Sequence, residues 1–62
     1  MTDTNRDSSL AREAAEYIAT LAQELATMAA AQRLDLLRYL LEMARDEARM
    51  IAVERLQRPE DR

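Results

Sequence analysis

Apolar residues in the first half of the chain fall into two heptad rows. Ala15, Ala19, Ala22, Ala26 and Ala29 recur at spacings of four, three, four and three. Ala14, Ile18, Leu21, Leu25 and Met28 repeat that rhythm one position earlier. This periodicity predicts an amphipathic helix over about 10–30, with an apolar arc of roughly 200°. One half of the arc is lined by alanine and the other by larger side chains. Arg12, Glu13, Glu16, Thr20, Gln23, Glu24 and Thr27 occupy the remainder and read as a solvated, acidic face. A helix with two seams expects two neighbours.

The rhythm breaks at Ala31-Gln32-Arg33-Leu34, where polar residues interrupt both rows. Asp35 is suited to cap a second helix, and Leu34 and Tyr39 have the spacing of a hydrophobic staple. The second helix is expected over about 36–57, with Leu36, Leu37, Leu40, Leu41, Met43, Ala44, Ala48, Met50, Ile51 and Ala52 as its apolar set. Glu47 falls within that arc, and Pro59 blocks continuation. No glycine marks the break, so one continuous helix is the alternative; the apolar arc slips by roughly 60° between the halves, which favours the turn. Residues 1–9 are polar and read as a flexible tail, with Ser8 or Ser9 capping the first helix. The helical hairpin then fills 10–58, and 59–62 form a frayed end.

An antiparallel hairpin of two such helices buries one seam of each against the other. The second seam is left over, and its burial calls for another chain. The expected architecture is therefore all-α: an antiparallel helical hairpin dimerising into a four-helix bundle. Ile18, Leu21, Ala22, Leu25, Met28, Leu37, Leu40, Leu41, Ala44, Ala48 and Ile51 are the expected dimer interface.

Composition narrows the chemistry. The 62 residues contain no cysteine, no histidine, no glycine and a single proline. That removes disulfides, thiolate and imidazole metal ligands, and the commonest general base. No phosphate-binding loop or nucleophile motif occurs, so neither enzyme activity nor a cofactor is expected. Glu47 is the one acid that helical phase places on an apolar arc; it reads as a bundle-edge carboxylate or one paired with an arginine. Every basic residue is arginine, and the formal net charge is −3. Arg38, Arg45 and Arg49 form a stripe on the second helix, with Tyr39 at its edge, and are the candidate partner-binding residues. Used on a protein, the stripe would fork onto carboxylates. Used on nucleic acid, it would define the alternative reading, against which the acidic balance argues. No apolar run reaches the roughly 18 residues of a membrane span, and the N-terminal stretch lacks the apolar core of a secretory signal. A cytoplasmic protein is expected, and the absence of cysteine fits a reducing compartment.

The runs Tyr17-Ile18-Ala19-Thr20-Leu21-Ala22-Gln23-Glu24-Leu25-Ala26 and Leu36-Leu37-Arg38-Tyr39-Leu40-Leu41-Glu42-Met43-Ala44 resemble those of short uncharacterised helical-hairpin proteins of alphaproteobacteria. The resemblance covers about residues 14–48 and implies a helical hairpin, with no active-site residues to carry over. The expected architecture is also similar to the plasmid-encoded RNA-binding hairpin dimer called repressor of primer. Taken together, these features predict a small homo-oligomeric helical module for protein–protein interaction or regulation.

Overall fold

A computed structural model describes the backbone of residues 4–57 and the side chains of residues 9–54. Two helices, α1 (Thr4–Ala31) and α2 (Asp35–Gln57), pack against each other as an antiparallel hairpin, and the described residues contain no strand. The turn expected near 31–35 is formed, and the continuous-helix alternative is excluded. The slab measures 45 × 18 × 12 Å. Its thickness is that of one helix, so the only interior is the seam where the helices meet.

Helix α1 begins six residues earlier than the hydrophobic pattern suggests. Residues 4–9, expected in the tail, are helical, and Ser8 and Ser9 lie within the helix rather than capping it. Nothing in Thr4-Asn5-Arg6-Asp7-Ser8-Ser9 breaks a helix, and extending one already nucleated costs little per residue. Residues 1–3 of the expected tail, Pro59 and the expected frayed end 59–62 lie outside the described residues.

The turn solves a problem that the absence of glycine poses. The Leu34 N–H donates to the Ala29 carbonyl at 2.9 Å, and the Arg33 N–H to the Ala30 carbonyl at 3.0 Å. These nested bonds are a Schellman closure, which requires a left-handed residue one place past the cap. Arg33 takes that place with φ 63°, where glycine would carry no Cβ penalty. The Arg38 N–H then donates to the Leu34 carbonyl at 2.9 Å. Leu34, not the expected Asp35, thus occupies the position whose carbonyl opens α2. Asp35 is the first helical residue, where a carboxylate complements the positive end of the helix dipole.

Only three residues separate the helices, and a link that short holds them close. Alanine is the side chain that permits it. Ala15, Ala19, Ala22, Ala26 and Ala29 of α1 and Ala48 and Ala52 of α2 are buried, each 1–9 % exposed. They are the buried core of the described residues, and no described side chain larger than alanine is fully buried. Ala22 and Ala48, expected between copies of the chain, are therefore used within it.

Arg33→Gly should stabilise the fold by about 1 kcal/mol by removing the left-handed penalty. Arg33→Val should destabilise it by at least as much, because branching at Cβ is least tolerated at positive φ. Urea unfolding of the three proteins at one concentration checks both. Ala22→Leu should cost about 1–3 kcal/mol by forcing the helices apart, whereas Thr20→Leu should stay within about 0.5 kcal/mol. Equal effects at the two positions would contradict the alanine seam.

Candidate functional site: an apolar face opposite a polar one

The two faces of the slab differ in chemistry, and the seam alanines show why. A shallow notch on one face is lined by Glu16, Ala19 and Thr20 of α1 and by Arg49, Ala52 and Val53 of α2. Glu16, Thr20, Arg49 and Val53 each directly follow a seam alanine. In antiparallel helices, residues just after the seam share one face, and residues just before it share the other.

The face after the seam is polar. Gln23 is its centre: its Nε2 donates to Thr27 Oγ1 at 3.2 Å, and Thr27 Oγ1 donates back to the Gln23 carbonyl at 3.1 Å. Arg45 Nη1 donates to Gln23 Oε1, tying α2 to α1. Arg45 also pairs with Asp46 at 2.9 Å, and Arg38 with Glu42 at 3.1 Å.

The face before the seam is apolar. From α1 it takes Ala14, Ile18, Leu21, Leu25 and Met28; from α2 it takes Leu37, Leu40, Ala44 and Ile51, with Glu47 among them. Its large side chains are exposed, from 39 % at Leu21 to 62 % at Met28, except for half-buried Ile51. Leu41, on the α2 seam, is half-buried. Leu36, Met43 and Met50 extend apolar surface around the outer side of α2. The expected interface thus divides. Ile18, Leu21, Leu25, Met28, Leu37, Leu40, Ala44 and Ile51 share the open face, while Ala22, Ala48 and Leu41 lie on the seam within the chain.

The expected arginine ridge also divides. Arg38 and Arg45 fit the seam rhythm of α2 with Leu41, Ala48 and Ala52, at spacings of three, four, three and four. Both are half-buried with their guanidinium groups on carboxylates of the same helix, and only 19 % of the Arg45 side chain is exposed. They are elements of the hairpin, not a free ridge. Arg49 and Tyr39 are exposed, with Arg49 in the notch beside Glu16. The role of Gln23 went unread because a glutamine on a polar face carries no mark of a bond across the hairpin.

Among the described residues, no three acidic side chains gather as a metal site requires. Nor, among them, is any helix long and apolar enough to cross a membrane.

Arg45→Ala should cost about 1 kcal/mol through the lost link to Gln23 and lost packing. Arg49→Ala should change stability by less than about 0.5 kcal/mol. Thermal unfolding of both variants at matched concentration separates a structural Arg45 from a merely solvated one. Comparison with known proteins finds no matching family model, no matching curated protein and no matching solved structure.

Proposed function

We propose that this chain is a homodimerising helical module that acts by docking rather than by catalysis. The observation that carries the reading is the open apolar face of Ile18, Leu21, Leu25, Met28, Leu37 and Leu40. A monomer that leaves such a strip in water forgoes the stabilisation its burial would bring, about 25 cal/mol per Å².

The accessible surface supports a second copy as the occupant. It measures 4794 Å², against roughly 4,100 Å² for a compact monomer of 7.1 kDa. A compact dimer of twice that mass would expose roughly 6,800 Å², so joining two such chains could bury on the order of 1,400 Å² from each, above the roughly 800 Å² that each partner contributes to a standard interface. Two hairpins joined through this face make a four-helix bundle with the polar faces outward. Any further protein partner meets those outer faces, where Arg49 and Tyr39 offer the side-chain types favoured at binding hot spots. Pairing of Arg38 and Arg45 with Glu42 and Asp46 lowers the positive potential that a nucleic-acid contact would need. A cytoplasmic setting suits a chain without cysteine.

Light scattering coupled to size-exclusion chromatography at tens of micromolar should give twice the chain mass, and the thermal midpoint should rise with concentration. Leu25→Glu, exposed in the hairpin, should return the mass to that of one chain. A concentration-independent monomer that unfolds cooperatively would overturn the reading. Glu47→Leu should tighten the dimer about tenfold or more, since a carboxylate carried into an apolar interface opposes association. Sedimentation equilibrium reads that shift directly.

A further inference from the structure

Beyond the broad apolar face, α2 carries a second exposed apolar row. Leu36, Met43 and Met50 recur at intervals of seven. Met43 and Met50 follow Leu41 and Ala48 of the seam by two residues, a rotation of roughly 200°, so the row lies on the side of α2 turned away from α1. Tyr39 and Val53 stand three residues on from Leu36 and Met50 and widen it. Each of these side chains is at least 50 % exposed. At its open end the row meets a shallow hollow lined by Asp46, Arg49, Met50, Val53 and Glu54. The far side of α1 is different, carrying Glu13, Thr20 and Glu24 with Tyr17 among them. About a quarter-turn separates the α2 row from the broad face, so a second copy seated on Leu21, Leu25 and Leu37 leaves the row in water.

The border of the row selects its occupant. Among the described side chains it is flanked by the carboxylates of Asp35, Glu42, Asp46, Glu47 and Glu54, against one cation, Arg49. Arg38 and Arg45 pair with Glu42 and Asp46 from the seam side, whereas Asp35 and Glu47 enter no ion pair among the described residues. A second copy suits this row poorly. Laying α2 on α2 sets acidic border against acidic border, and the far side of α1 offers more carboxylates and no apolar row. Nucleic acid and anionic lipid meet the same repulsion. A helix whose apolar stripe is edged with lysine or arginine satisfies both parts of the surface at once. Met43 and Met50 suit such a partner, because an unbranched thioether adapts to neighbours of different shape.

We infer that the far side of α2 is a second docking surface, and that its occupant is a basic amphipathic helix of another protein. From Leu36 to Met50 the row runs for about 21 Å, or about four helical turns. The inference rests on the reading that this chain acts by docking, and it is independent of the homodimer.

The probe is a fluorescein-labelled synthetic peptide of about 18 residues, or five turns, with leucines on one helical face and lysine and arginine beside them. Fluorescence anisotropy against the full chain should show saturable binding at micromolar concentrations. A peptide of the same composition, scrambled to lose the apolar face, should bind at least tenfold more weakly, as should one whose cations are replaced by glutamate. The double substitution Met43→Gln and Met50→Gln falls on exposed positions and should weaken binding of the parent peptide about tenfold, with helical signal and chain mass unchanged. Equal binding of the glutamate peptide, indifference to the glutamine substitutions, or no binding at all overturns the inference. So does a loss of binding on Leu25→Glu alone, which places the peptide on the broad face. A mass above twice that of the chain, lowered by the glutamine substitutions, makes a further copy the occupant and overturns it too. Peptide binding weakened by those substitutions in a chain of single mass supports the inference while sinking the homodimer, and a dimer that binds no peptide does the reverse.

Discussion

Close approach of two helices through alanine is the constraint on which the rest of the structure depends. A three-residue connection leaves no room for a wide gap, and a row of five alanines on α1 lets the helices meet without one. Once the alanine row is committed to the interior, the row one position earlier has to lie outside. The exposure of Ile18, Leu21, Leu25 and Met28 is therefore not an independent feature. It is the geometric counterpart of buried Ala19, Ala22, Ala26 and Ala29, because adjacent heptad rows sit about 100° apart on one cylinder.

The same constraint explains the arginines. Two of the α2 seam positions carry Arg38 and Arg45 where an apolar residue would be expected. Between close-set helices there is little room for bulky branched side chains, and Leu41 is the one such residue on the α2 seam. An arginine can lie its flexible stem along the alanines and turn its charged head out to Glu42 or to Asp46 and Gln23. Arg45 thereby places a specific polar bond between the helices. Small apolar contacts alone define register poorly, whereas the reach from Arg45 to Gln23 favours one sliding position over its neighbours.

Much of the fold was legible in the sequence. The two helical periods, the break at residues 31–35 and the presence of more apolar seam than one hairpin can use all follow from spacing alone. The start of α1 was not legible, because a polar run without glycine or proline has no feature separating tail from helix. The turn's mechanism was hidden too: Arg33 in the left-handed region has no composition signal, since the usual marker is glycine. The candidate face was read as to residue type but not as to partition. Periodicity places Ala22, Leu25, Ala48 and Leu40 on one broad arc. Only the choice of interhelical contact separates the alanines inside from the leucines outside. Arg38 and Arg45 were misplaced for a related reason, since charge alone suggests solvent and does not reveal a stem lying across a seam.

An interior made of alanine also has a consequence for rigidity. Alanine has no rotamers to lose, so the α1 row closes this seam without side-chain entropy cost, and that cost falls on Arg38, Leu41 and Arg45 of α2. Alanine also has none to regain, so any change of packing between the helices has to run through the few longer side chains of the α2 seam. The hairpin is thus a thin plate held by modest forces. Its exposed leucines and methionines keep their torsional freedom, but the backbone spacing that carries them is set before anything arrives. A partner docking on that face would meet a ruler with adaptable markings, its two helices already formed.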